Sequence, residues 1–190
     1  MNKLIHVALI GAVLSQLGGC AAVVVGGAAT GTAVALDRRT AGVYLSDQEI
    51  ELRAMNRLRE AFPQKTDSIS ATSYNRQVLL TGQVGDEAAR AKAAEVVKGI
   101  PDVRTVFNEL TVGSVNSLAT DASDVAVTSQ VKARMLRNEE VPASKIKVVT
   151  ESGVVYLMGL VTQAEAATAT NIARTTAGVA KVVTLFEYID

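Results

Sequence analysis

The chain of 190 residues has no tryptophan, three prolines, a single cysteine and a single histidine. The histidine is His6 and the cysteine is Cys20, so nothing beyond residue 20 carries an imidazole or a thiol. That excludes Cys-His and Ser-His-Asp catalysis from the body of the protein. It equally excludes zinc sites built from His and Cys. Ser-Lys chemistry, paired carboxylates and a carboxylate metal site remain, and the sequence carries no motif for any of them. Asp121 and Asp124 lie close together but lack the spacing of a calcium loop. The expectation is a protein that is not an enzyme and holds no cofactor or metal. Lys plus Arg equal Asp plus Glu at 19 each, and aromatic residues make up only 4%. Neither a basic patch for phosphates nor a stacking platform for bases is present, so no nucleic-acid partner is expected.

The lone cysteine has a context. Met1-Asn2-Lys3 gives a short positive start. An apolar run follows from Leu4 to Leu14, and the segment closes on Leu17-Gly18-Gly19-Cys20. A charged start, an apolar stretch and small residues before a cleavage point are the layout of a secretory signal. A disulfide needs a partner, and the chain holds no second cysteine. The pattern resembles a bacterial lipobox. By that resemblance residues 1–19 are removed as a signal peptide, the Cys20 sulfur receives a diacylglycerol, and the new amino group is acylated. Several acyl chains anchor firmly where one is marginal. An uncleaved membrane helix is the competing reading, because residues 4–36 are almost free of charge. Gly26, Gly27 and Gly31 break that stretch, and glycine costs about 1 kcal/mol per residue in a helix. Gly27 and Gly31 also form a GxxxG, weak support for helix pairing in lipid. Residues 20–45 are therefore expected to be a lipid-anchored tether. Ala21, rather than aspartate, follows Cys20, which resembles the signal for transport to the outer membrane, with the protein facing the periplasm.

The body of the chain repeats itself. Between "ISATSYNRQVLLTGQV" (69–84) and "IKVVTESGVVYLMGLV" (146–161), one constant offset aligns Ile69 with Ile146 and Val78 with Val155. The same offset aligns Leu80 with Leu157, Gly82 with Gly159 and Val84 with Val161. Upstream it brings Asp47, Ile50, Ala54 and Leu58 onto Asp124, Val127, Val131 and Met135. Downstream it changes by one, aligning Val96, Val103 and Val106 with Ile172, Val179 and Val182. Each copy reads as α-β-β-α-β. "SDQEIELRAMNRLREAF" has apolar residues at helical spacing behind a capping Ser46 or Asp47. "SISATSY" and "QVLLTGQV" are strand-like around a tight turn at Asn75-Arg76. "DEAARAKAAEVVKGI" starts with acids and stops near Gly99 and Pro101, and "VRTVFNELTV" alternates as a strand. The second copy predicts a helix over about 124–138, strands near 145–151 and 154–161 around Ser152-Gly153, a helix over about 163–177 and a strand over about 179–188. The boundaries follow: a first domain at 46–112, a polar linker at 113–122 and a second domain at 123–190.

Two such units, each with a "V-x-L-x-G-x-V" strand, an alanine-rich helix and a closing "V-x-x-V" strand, resemble BON domains. With the lipobox in front, the chain is similar to dual BON-domain outer-membrane lipoproteins. The resemblance implies an α+β fold of two tandem BON-like domains. Each would place two helices on a three-stranded mixed sheet. It further implies phospholipid binding and support of outer-membrane integrity, without catalysis. Gly82 and Gly159 are expected to be structural, a helix packing over each and leaving no room for a Cβ.

The two copies differ most in their first helices. On a helical wheel, Val127, Val131 and Met135 share one side. The opposite side carries Ala126, Ser129, Gln130, Ala133, Leu136 and Arg137, with Lys132 and Arg134 flanking it. The equivalent positions of the first copy are Glu49, Leu52, Arg53, Asn56, Arg59 and Glu60, a charged and solvated surface. A face of small uncharged residues with cations at its edge suits a membrane, because long basic side chains reach anionic headgroups while their stems stay apolar. It is also a common composition for an ordinary surface helix, or for a helix covered by the other copy. The resemblance places lipid contact on this helix and makes anionic phospholipid, phosphatidylglycerol foremost, the expected partner. It also places an aromatic where this chain has Ala126, so insertion should be shallower here. The competing function is an adaptor docking on an envelope protein partner, such as the outer-membrane protein assembly complex or cell-wall amidase regulators.

Overall fold

Each repeat builds its sheet from a hairpin whose tight turn would be costly without support. The computed structural model describes residues 38–63, 68–114 and 117–190. The first copy runs α1 (Ala41–Ala61), β1 (Ser68–Tyr74), β2 (Gln77–Val84), α2 (Glu87–Lys98), β3 (Thr105–Asn108) and β4 (Thr111–Val112). The second runs α3 (Leu118–Leu136), a single 3-10 turn (Ala143–Lys145), β5 (Ile146–Glu151), β6 (Val154–Val161), α4 (Gln163–Arg174) and β7 (Lys181–Tyr188). In each sheet the hairpin is antiparallel and the last strand joins parallel to the central one, giving orders β1-β2-β3 and β5-β6-β7. These are the mixed sheets expected for an α-β-β-α-β unit.

Both hairpins turn through two residues of positive φ, Asn75 (51°) and Arg76 (64°) in one and Ser152 (50°) and Gly153 (75°) in the other. This is the backbone shape that matches the twist of the flanking strands. Three of the four are not glycine, so the turns need help. It comes from the first helix of each copy. Buried Asp47 accepts the N–H groups of Asn75 (2.8 Å) and Arg76 (2.7 Å) and the hydroxyl of Ser73 (2.7 Å). Asp124 accepts from the N–H groups of Ser152 (2.6 Å) and Gly153 (2.9 Å). The aligned aspartates therefore clamp hairpins. Neither Ser46 nor Asp47 caps α1. That role falls to Thr40, and the helix begins earlier than its apolar pattern suggests. Likewise α3 begins at Leu118 behind the cap of Ser117, whose hydroxyl accepts the Thr120 N–H, so the expected linker is helical over its last residues. A second recurring side chain is the arginine aligned between the copies. Arg57 donates to the Gly99 carbonyl at 2.9 Å, and Arg134 to the Ile172 carbonyl at 2.9 Å, each holding its copy's two helices together.

Between helices and sheet each copy closes its own core, around Ile50, Leu58, Val78, Leu80 and Val97 in the first and Val127, Val131, Met135, Val155 and Leu157 in the second. The opposite faces of the two sheets are not solvated. Tyr74, Leu79, Tyr156 and Met158 form a third buried cluster drawn from both copies, with Phe107, Val149, Val183 and Leu185 against it. Sheet packs on sheet, helices lie outside, and residues 36–190 form one compact unit. Polar contacts ring that junction: the Tyr74 hydroxyl donates to the Lys145 carbonyl (2.9 Å), Lys147 pairs with Glu51 (2.7 Å) and Gln83 donates to Glu151 (2.7 Å). Burial there pushes the Tyr156 hydroxyl up to about 12, with Glu109 and Glu151 adding to it.

Two arginines at the start of the described chain lock the junction. Arg38 makes a two-pronged hydrogen bond to Glu165 at the start of α4 (2.6 and 2.7 Å) and donates to the Leu160 carbonyl (2.8 Å). Arg39 pairs with Asp47 in the first copy (2.6 Å) and lies over the Tyr74 ring, 4.0 Å from its centre. One step of chain thus ties both copies together.

Gly82 and Gly159 are excluded from bearing a Cβ by backbone, and the expected covering helix is not the cause. A Cβ at Gly82 would lie 1.9 Å from the Ser68 carbonyl oxygen, at a φ of +116°; at Gly159 it would lie 2.9 Å from the Lys145 carbonyl oxygen. The closing strand of the first copy also differs from expectation. It breaks after Asn108 and resumes at Thr111, with Leu110 turned into the core.

Candidate functional site

The candidate site is the outward face of α3. Its inner side is fixed by Asp124 on the hairpin and by Val127, Val131 and Met135 in the core, all under 9% exposed. A helix held at that many points must present its other side outward. Ala126, Ser129, Gln130, Lys132, Ala133, Leu136 and Arg137 are all exposed, so the structure brings the expected residues onto one open surface that the first copy does not cover. Leu136 is 73% exposed. The wheel missed Val125, 67% exposed on the flank of the same face, because its neighbours Asp124 and Ala126 drew the dividing line too close. Val125 and Leu136 stand about 16 Å apart along the helix axis, bracketing the small residues between them.

The cations divide. No ion pair among the described residues involves Lys132 or Arg137, and both are exposed. Arg134 is not available: besides Ile172 it donates to the hydroxyls of Thr176 (2.6 Å) and Thr175 (3.0 Å), so it belongs to the packing of α4. Exposed Glu139 and Glu140 follow Arg137 and lower the positive charge at that end. On α1 the aligned face carries the Arg53–Glu49 ion pair and more charge, yet it also exposes Leu45 and Leu52. The contrast between the copies therefore lies in charge rather than in apolar residues.

Beside the N-terminal half of α3 a cleft of about 380 Å³ opens between the copies, lined by Ser70, Gln83, Asp121, Thr128, Thr150 and Glu151 among others. Burial raises the Glu151 carboxyl, the Gln83 hydrogen bond opposes this, and Asp124 and Asp121 add to it. No basic residue among the described ones lines the cleft, so that lining does not suit a phosphate. Among the described residues no cluster of His, Cys, Asp or Glu could hold a metal ion, and no helix is long and apolar enough to cross a membrane. Cys20, the signal segment and the glycines at 26, 27 and 31 lie outside the described residues.

The BON domain model matches residues 46–114 and again 123–190. The chain belongs to the BON-domain family. Its two copies are thus two BON domains, at boundaries close to those of the repeat. Among curated BON-containing relatives, the chain is 39% identical over 175 residues to the outer membrane lipoprotein DolP of Haemophilus influenzae, covering 92% of this chain and 91% of that protein. It is 33% identical to the 21 kDa hemolysin of Actinobacillus pleuropneumoniae, over 82% of this chain and 80% of that protein. To the osmotically-inducible protein Y of Escherichia coli it is 34% identical, over 74% and 72%.

Proposed function

We propose that this BON protein is a non-enzymatic outer-membrane lipoprotein, anchored through acylated Cys20, facing the periplasm and resting the outer face of α3 on anionic phospholipid. The observation that carries the reading is the open face of α3, with two exposed apolar side chains and two unpaired cations on a rigidly held helix. The lipobox and the likeness to an outer membrane lipoprotein support the anchor and the compartment. Burying Leu136 and Val125 in an interface contributes about 1–2 kcal/mol each, and each basic residue at an anionic surface about 1 kcal/mol. The total of about 4–6 kcal/mol corresponds to weak contact, roughly millimolar to tens of micromolar. A tether at Cys20 supplies the effective concentration that such a contact needs.

The test is co-sedimentation of the segment Leu36–Asp190 with zwitterionic and anionic vesicles at low and moderate salt. This segment keeps Arg38, Arg39 and both cores. Binding is expected only to anionic vesicles, weakened by salt, and lost in a folded Leu136→Asp, Lys132→Glu variant. No binding of the wild type to either vesicle would leave Cys20 as the sole membrane attachment and refute the α3 reading.

A further inference from the structure

The two BON domains end in the same kind of edge strand, and they treat it differently. In the first domain the edge is short, broken and covered. The β3 and β4 segments have 4 and 2 residues. Arg90 of α2 donates to the Asn108 carbonyl (3.3 Å), and the Asn108 side chain donates back to the Arg90 carbonyl (2.9 Å). Short strands, breaks and charged covers are the means by which proteins keep edges from pairing.

In the second domain these protections are missing. The β7 strand runs unbroken for 8 residues, paired with β6 along its whole length. At its far end Ile189 donates its N–H to the Val161 carbonyl, which with the unbroken register sets the phase of the pairing. Alternate residues Val182, Thr184 and Phe186 therefore turn their N–H and C=O groups away from β6. No other described strand lies on that side. The register that aligns Val96 with Ile172 places Ala166 at the position of Arg90 and Thr184 at that of Asn108. Where the first domain has a bridge, the second has a groove of about 410 Å³ between α4 and β7, its walls including Ala166, Ala167, Thr170, Arg174, Thr184 and Tyr188. Arg174 is the one charged residue among its described lining and is exposed.

We propose that the β7 edge is a docking site for an extended segment of a partner protein, which adds as a further strand to the second BON domain. The main chain of that segment pairs with Val182, Thr184 and Phe186. Alternate side chains, small or β-branched, lie over Ala166 and Thr170, and a carboxylate meets Arg174. Strand addition draws affinity from main-chain hydrogen bonds and selectivity from such side-chain pockets. Charge favours an acidic peptide, since the described lining of the groove holds a cation and no anion.

The test selects binders from a displayed library of random peptides on the segment Leu36–Asp190, then maps them by amide chemical shifts. The selected peptides are expected to be rich in β-branched residues and to carry Asp or Glu. They should shift the amides of Val182, Thr184 and Phe186 and protect them from hydrogen exchange. Two variants close the site by different means. Tyr188→Pro removes an outward N–H from an exposed strand end without breaking the β6 pairing. Ala166→Arg with Thr184→Asn transplants the cover of the first domain. Each is expected to weaken binding about tenfold or more, the equivalent of one or two hydrogen bonds, with unchanged far-ultraviolet circular dichroism. Peptides that map elsewhere, bind both folded variants undiminished, or fail to enrich at all would overturn the proposal. So would a concentration-dependent dimer whose β7 amides pair between copies.

Discussion

Replacing Asp47 by alanine should be among the most damaging single changes in the protein, and the cost can be worked from its partners. The carboxylate is 3% exposed as a residue and accepts from Ser73, Asn75, Arg76 and Arg39. Truncation leaves two N–H groups of a positive-φ turn, a buried hydroxyl and a guanidinium without their acceptor. Removing one partner of a buried charged pair costs about 3–5 kcal/mol, and unsatisfied buried donors fall in the same range when summed. At Asp124 the N–H groups of Ser152 and Gly153 lose their acceptor, Gly153 tolerates its φ freely, and no ion pair among the described residues is lost. There the cost should be about 2–3 kcal/mol. Denaturant unfolding followed by far-ultraviolet circular dichroism gives both values. Arg39→Ala alone and in combination with Asp47→Ala completes a double-mutant cycle, with a coupling of about 1–3 kcal/mol expected. A loss under about 1 kcal/mol for Asp47→Ala, or no coupling to Arg39, would show that the hairpins hold themselves and that the clamp is incidental.

Gly82→Ala should cost about 3 kcal/mol or more, because both its φ and the Ser68 carbonyl oppose a side chain, and Gly159→Ala less, since only the contact opposes it; thermal melts of the two variants rank them. Arg38 holds the Glu165 carboxyl down to about 2, with the Thr162 N–H assisting and burial opposing. A lowered folded value stabilises above the ordinary carboxyl range near 4.5 and is lost as pH falls through about 2. Arg38→Ala should therefore destabilise by about 1–2 kcal/mol at neutral pH, after allowance for partial exposure. Its unfolding curve should converge with that of the wild type toward pH 2. Arg134→Ala should lower stability by about 1–3 kcal/mol while a still-folded sample binds anionic vesicles as the wild type does.

The repeat was readable because both copies bury the same positions, so apolar spacing and a constant offset were enough to give element order, turn positions and mixed sheets. Helix starts were harder. Thr40 and Ser117 cap α1 and α3 before any apolar periodicity begins, and Asp47 looked like a cap because an acid ahead of an apolar run usually is one. Its real partners lie two strands away and leave no local trace. The continuous run Val-Val-Tyr-Leu-Met-Gly-Leu-Val of β6 does signal a strand buried on both faces. What covers the second face, the other BON domain, is a matter of tertiary docking. On α3 the spacing located the open face. Val125 escaped notice because the wheel cannot say how wide the buried sector is, and Arg134 was grouped with the free cations because its carbonyl and hydroxyl partners lie on another helix.

The absence of tryptophan makes the decisive measurement simple, since one introduced indole reports alone. Leu136→Trp on α3 and Leu52→Trp on α1, both at exposed positions, would be titrated with anionic and zwitterionic vesicles and followed by emission wavelength. The account predicts a blue shift for position 136 with anionic vesicles, reversed by salt, and none for position 52. No shift at position 136, or an equal shift at both, would contradict it.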